Sequence, residues 1–264
     1  MPMSRFYSDL CNSWIVNRLT VCAWYYPKRV SMPFCGRTRV KARFRLPFPR
    51  RLCTAELQDR EDGFQSVRIF SRSNTWNKFA PGCDPKVIVD LGANRGFSTL
   101  YWKSRFPDAK THGVEMDRGN FLRCRDLFSL NHLSATFYHA AINGFNGLAK
   151  YRAHHSHTRH RLDSLTDEKY TFEDRVSEVP CFTFQVFLRN AGIAMVDVLK
   201  IDIEGAEQFL LQSIDAWGGQ VGVILLELHH NIDTAWARSQ LESSGFRVEH
   251  GDAGDRTEWW CFRK

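Results

Sequence analysis

No run of about 18 consecutive apolar residues occurs in the 264-residue chain, so no membrane-spanning helix is expected. The N-terminus also lacks a secretory signal. Its most apolar stretch, residues 13–26, is broken by Asn17 and Arg18 and has no small-residue cleavage site. The eight cysteines include no Cys-x-x-Cys pair and follow no leader, so they read as reduced, buried thiols and not as a disulfide framework or zinc site. These absences point to a cytoplasmic protein. Acidic residues are scarce at one end: residues 1–51 hold eleven Lys or Arg against Asp9 alone. The rest of the chain holds 25 basic and 28 acidic residues, so the net charge of +7 belongs to the N-terminal fifth. No repeat of 20–50 residues is present, which excludes solenoids and propellers.

What is present suits a folded domain. The chain is 43% hydrophobic and 25% charged, enough apolar material for a sizeable core. Within the basic end, residues 37–46 alternate strictly, with Arg37, Arg39, Lys41, Arg43 and Arg45 on one face and Val40, Ala42, Phe44 and Leu46 on the other. This pattern predicts a half-buried edge strand with a basic row outward, which charge protects from edge pairing. The same row makes residues 28–51 a candidate contact for an anionic membrane surface or a phosphorylated substrate, with peripheral membrane association as the consequence. The apolar residues before it, such as Trp14, Leu19 and Trp24, would form at most a weakly amphipathic helix.

From about residue 81 strands and helices alternate. Strands are expected at 86–90, 111–116, 135–142, 196–203 and 221–228, and helices at 96–106, 120–130, 206–217 and 234–244. A polar connection runs to about residue 178 and carries His154, His155, His157, His160, Arg159 and Arg161; it reads as a loop, with a lid over the ligand face as the functional option. A closing strand pair is expected at 246–249 and 257–263. This order implies a Rossmann-like α/β fold, a mostly parallel sheet with helices on both faces. The domain division follows as residues 1–80, a basic extension, and 81–264, the catalytic domain.

Residues 87–98 read Val-Ile-Val-Asp-Leu-Gly-Ala-Asn-Arg-Gly-Phe-Ser, a strand that turns through small residues into a helix. Gly and Asn supply the unusual backbone angles of such a turn, and small residues let a ligand approach the carboxyl end of the strand. Glu115 ends the next strand, where an acid can accept both hydroxyls of an adenosine ribose. Asp90, directly before the turn, suits a cationic amino group. A dinucleotide pyrophosphate would prefer glycine where Asn94 stands and no flanking acid. The cationic, phosphate-free S-adenosylmethionine fits better than a nicotinamide nucleotide.

Residues 198–207, Val-Leu-Lys-Ile-Asp-Ile-Glu-Gly-Ala-Glu, place Lys200 and Asp202 in a strand that should be apolar throughout. Charges tolerated there point to an active-site strand end. Beyond them, Glu204 and Glu207 open a helix, a position that favours acids, and Leu226-Glu-Leu-His-His-Asn231 ends the following strand with His229 and His230.

The motifs Asp90-Leu-Gly-Ala-Asn-Arg-Gly96, Val114-Glu115, Leu199-Lys-Ile-Asp-Ile-Glu-Gly-Ala-Glu207 and Leu226-Glu-Leu-His229 resemble the FkbM family of S-adenosylmethionine-dependent methyltransferases, from about residue 60 to the C-terminus. The resemblance implies a class I, seven-stranded Rossmann-like fold and O-methylation of a hydroxyl on a sugar, glycolipid or natural product. It implies a cofactor set of Asp90, Gly92, Ala93, Asn94, Gly96, Ser98, Glu115, Met116 and Asp202. The catalytic candidates are Asp202, Glu204, His229 and His230. In this fold the fourth strand lies beside the first, which brings Asp202 to the reacting methyl, and Lys200 can pair with it or with a neighbouring acid. Asp202, Glu227 and His229 also offer ligand atoms for a divalent metal, but their spacing is unspecific and no metal site is assigned. A small-molecule or glycan acceptor is expected and nucleic acid is not. A base N-methyltransferase would carry Asn/Asp-Pro-Pro-aromatic after the fourth strand, where this chain has Asp-Ile-Glu-Gly. The alternatives are a nicotinamide-dependent oxidoreductase and a non-catalytic protein of the same fold that binds anionic partners.

Overall fold

The computed structural model describes residues 40–45, 52–57, 62, 65, 69–70, 84–154, 161–162, 172–229, 232–250 and 258–264. The segments 1–39 and 155–160 and residue His230 lie outside them, and so do the apolar N-terminal segment and most of the histidine-rich stretch.

A seven-stranded sheet organises the chain. Its members are β3 (Val87–Leu91), β4 (Lys110–Glu115), β5 (Thr136–His139), β10 (Val196–Ile201), β11 (Val221–Glu227), β12 (Phe246–His250) and β13 (Glu258–Arg263). The spatial order is β12-β13-β11-β10-β3-β4-β5. Strands β5, β4, β3, β10 and β11 pair in parallel, and β13 returns antiparallel to both β11 and β12. The switch between β3 and β10 is where an open α/β sheet binds its ligand, outside the carboxyl ends of the strands. The expected Rossmann-like topology is found, with the fourth strand of the series beside the first. In that register Lys200 stands opposite Asp90 and Ile201 opposite Leu91.

Two layers cover the sheet. On one side pack α1 (Phe97–Arg105) and α2 (Arg118–Leu130), whose Leu100, Tyr101, Trp102, Leu127 and Phe128 cluster with Ile88, Val198, Leu225 and Trp260. On the other pack α3 (Phe184–Asn190), α4 (Glu207–Gln212), α5 (Ile214–Trp217) and α6 (Thr234–Ser243), against Val89, Leu199, Ile224, Leu226 and Cys261. The alternation of these strand residues between two apolar layers is what a sheet buried on both faces requires. Cys53, Cys124, Cys181 and Cys261 are free, buried thiols.

Two expectations are corrected. First, the histidine-rich connection is not simply a loop: β6 (Ala141–Ile142), β7 (Gly147–His154), β8 (Arg161–Leu162) and β9 (Phe172–Phe182) form a four-stranded sheet ordered β6-β9-β7-β8. The strand expected at 135–142 accordingly splits, β5 staying in the main sheet and β6 joining this one. Second, the single helix expected over 206–217 is two, broken at Ser213, whose hydroxyl bonds back to the carbonyls of Phe209 and Leu210. Residues before position 80 also pack on the main sheet's helices. The basic strand β1 (Val40–Arg45) pairs antiparallel with β2 (Leu52–Leu57), and Cys53, Ala55 and Leu57 of β2 are fully buried in the α1–α2 layer with Ile69 and Phe70. Asp62, also fully buried, is ion-paired to Arg95 and Arg123. No helix among the described residues is long and apolar enough to cross a membrane.

Candidate active site

A cleft of about 590 Å3, counting its open mouth, lies at the carboxyl ends of β3, β4 and β10. One end is formed by the turn after β3. Gly92 has φ +75°, and a Cβ there would come within 1.7 Å of the Asp202 carbonyl oxygen, so only glycine lets this turn close against β10. The amides of Gly92 and Ala93 both donate to the Val114 carbonyl, locking the turn to β4. Asn94 follows with φ 52° and Gly96 with φ 85°; a Cβ on Gly96 would press on the Cα of Cys124 in α2.

Glu115 is buried at the end of β4 with both carboxylate oxygens engaged. One accepts from the Asn94 amide and the other from the Asp117 amide, each at 2.8 Å. Burial pushes its carboxyl up to about 8, against the pull of those two amides. From Glu115 the cleft wall turns apolar, through Val114, Met116, Ala140, Ile142 and Leu162.

The opposite end is crowded with charge. Lys200 lies 3.3 Å from Asp90 Oδ1 and 3.3 Å from Asp202 Oδ2. Burial alone would lower the lysine, but Asp202 and Asp90 outweigh it and hold the ammonium charged. Asp90 Oδ2 accepts from the hydroxyls of Ser98 and Thr99, each at 2.6 Å. Past Asp202 the backbone turns sharply, with Glu204 at φ 54° and Gly205 at φ 104°. The turn is clasped by Glu207, which is fully buried and accepts from the amides of Ile203 and Gly205, both at 2.8 Å. The same carboxylate meets His229 Nδ1 at 3.0 Å, while His229 Nε2 lies 3.3 Å from Glu204 and 3.9 Å from Asp202. Burial would lower the imidazole, yet the hydrogen bonds and charges of Glu204 and Glu207 raise it to about 11, so it is cationic at neutral pH.

Of the expected cofactor residues, Gly92, Asn94, Glu115, Met116 and Asp202 line the cleft. Ala93, Gly96, Ser98 and Asp90 stand behind it: they fix the turn, and Asp90 pairs with Lys200. Of the catalytic candidates, Asp202 and Glu204 line the cleft, His229 braces them, and His230 is outside the described residues. Sequence reasoning missed Leu162, which reaches the cleft from the unforeseen sheet, and the clasp by Glu207. Asn94 and Glu204, two non-glycine residues with left-handed backbones, both line the cleft, as strained residues at functional sites often do.

The pattern of the methyltransferase FkbM domain matches residues 90–251, from the first acid of the cofactor turn to beyond the last helix. The chain belongs to the FkbM methyltransferase family. This membership replaces the oxidoreductase and the non-catalytic alternatives. Among curated proteins the methyltransferase is similar to Methyltransferase 1 of Beauveria bassiana, 26% identical over 68% of this chain and 78% of the relative. It is also similar to Methyltransferase sdnD of Sordaria araneosa, 25% identical over 65% and 76%. Among solved structures it resembles M. capricolum TrmK in complex with S-adenosyl-homocysteine, at 11% identity and a TM-score of 0.45 over 72% of this chain and 66% of that one. An O-methyltransferase family protein from Burkholderia thailandensis gives 12% and 0.45 over 78% and 60%.

The family's cofactor, S-adenosylmethionine, suits the residues present. Asn94 Oδ1 is buried with no hydrogen-bond partner among the described residues, an acceptor available to a ligand donor. Glu115 offers carboxylate oxygens for ribose hydroxyls, and the apolar wall offers a surface for a purine.

Proposed function

We propose that this methyltransferase methylates a hydroxyl oxygen on a sugar, glycolipid or natural product. The observation that carries the reading is the pair of carboxylates, Asp202 and Glu204, in the cleft wall opposite the Glu115 end. A hydroxyl is a poor nucleophile, and a proton acceptor where the acceptor enters is what O-methylation needs.

When bound, S-adenosylmethionine supplies an electrophilic methyl on a sulfonium. The chain's residues do the rest. The Gly92–Asn94 turn and Glu115 would hold the adenosine end. Lys200 fixes one oxygen of Asp202. The other oxygen, toward His229, would take the proton that the acceptor hydroxyl loses on methylation. His229, held by Glu207, secures Glu204 and offsets the local negative charge; as a cation it is a brace and not the base.

Incubation with S-adenosylmethionine labelled with 13C in the methyl, against a panel of sugars, glycolipids and hydroxylated natural products, tests the reading. NMR should show a methoxy carbon in the product; label on nitrogen, sulfur or carbon would overturn it. The basic residues 28–51 favour an anionic or membrane-associated acceptor. Salt-sensitive binding to vesicles containing anionic lipid is the expected sign, and binding that ignores both salt and lipid charge would remove that part of the reading.

A further inference from the structure

Three side chains from two adjacent strand ends bring metal-ligand atoms together. Asp202 follows β10, Glu227 closes β11 and His229 lies two residues on, and one ligand atom from each lies within 4.8 Å of the others. Oxygen and nitrogen ligands sit about 2.0–2.2 Å from a small divalent ion, so ligand atoms sharing one lie about 3 to 4.2 Å apart. His229 Nε2 and Asp202 Oδ1, at 3.9 Å, already fall in that span. All three side chains are partly exposed, so an ion can reach them.

Their orientations are set from outside the trio. Lys200 holds Asp202 by Oδ2, which turns Oδ1 toward the imidazole. Glu207 holds His229 by Nδ1, which turns Nε2 toward Glu204, 3.3 Å away, and Asp202, 3.9 Å away. Glu207 is itself fully buried and anchored by two backbone amides. A fixed carboxylate on the far nitrogen is the usual outer support of a metal-ligating histidine, because it orients the ring and sets which nitrogen faces the ion. Helix capping alone needs no such contact.

We infer that Asp202, Glu227 and His229 form a divalent-cation site at the acceptor end of the cleft, with Glu204 as an adjoining oxygen and Glu207 as the positioning residue. Two carboxylates and one imidazole make a mostly hard donor set, suited to Mn2+ or Mg2+. The inference rests on the proposed acceptor end: the ion would take the place of the proton on His229 Nε2 and polarise the acceptor hydroxyl, whose proton the adjoining Glu204 would then take.

The test omits both cofactor and acceptor. Chelator-treated protein is titrated with MnCl2, and free Mn2+ is followed by its electron paramagnetic resonance signal. One saturable site per chain is expected. It should be lost in Glu227→Gln and weakened about 10- to 100-fold in Glu207→Gln, the range for removal of an outer support. A retained thermal shift with S-adenosylhomocysteine reports that each variant is folded. Independently of any variant, bound Mn2+ should broaden the His229 ring resonances in NMR. Absence of a saturable site, equal affinity in Glu227→Gln, or an unbroadened His229 ring each overturns the inference. Methoxy product formed at an undiminished rate in excess chelator would also overturn it while leaving O-methylation standing, so the two proposals fail separately.

Discussion

The two ends of the cleft solve the problem of a buried acid in opposite ways. Glu115 has no cation beside it: its oxygens are met by two backbone amides, and burial keeps its carboxyl at about 8. Asp202, one strand over from β3 on the other side, shares Lys200 with Asp90 and lies beside His229. The first arrangement builds a rigid hydrogen-bonding cradle with little charge. The second gathers charge that can be moved. Binding needs only the first, whereas removing a proton from an acceptor needs the second.

The largest loss is expected at the contact that joins the two ends. Gly92→Ala would force a Cβ into the Asp202 carbonyl at a left-handed position, and should cost about 4 kcal/mol or more of stability, seen as a collapse of Tm. Next, His229→Asn should lower kcat by about 10²- to 10⁴-fold, the range for a lost acid–base arrangement, with cofactor affinity by calorimetry unchanged. A matching loss of cofactor affinity would mean that the ends are not separate. Glu115→Gln should do the reverse, weakening cofactor by about 1.5–3 kcal/mol while leaving kcat at saturation intact.

The same variant also isolates a pH effect. Folded Glu115 keeps its proton up to about 8, against an ordinary value near 4.5. The stability it contributes is therefore complete below about pH 4.5 and is lost as pH rises toward 8. Thermal melts across that window should show a falling component in the wild type that is missing in Glu115→Gln. The smallest effect belongs far from both ends: Leu148→Ser, at a position 65% exposed on the second sheet, should change stability by no more than about 0.5 kcal/mol.

Much of this was visible in the sequence because the sheet imposes it. Lys200 and Asp202 were anomalous in a strand that must be apolar on both faces, and the position of β10 beside β3 explains the pairing with Asp90. Glu115 followed from its place at the end of the second strand. The second sheet was hidden because its pattern is weak. In β7 the inward residues are Ala149 and Tyr151 while Leu148 points outward, and in β9 the outward position between buried Val179 and Cys181 is Pro180, a residue that argues against a strand. β2 was hidden for a related reason, since it buries small residues, Cys53 and Ala55, that carry little hydrophobic signal. The Glu207 clasp depends on positive backbone angles at Glu204 and Gly205 that fold the chain back on itself, and periodicity does not encode them.

The burial of β2 also bears on how the protein is assembled and handled. Cys53 contacts Ser104 across 51 residues of chain, and Thr54 and Asn131 bond across 77. These contacts tie β2 to the layer in which Phe97, Trp102 and Phe128 are buried. A version trimmed to residue 81 would leave that apolar patch open permanently and would be prone to self-association, whatever its catalytic residues do.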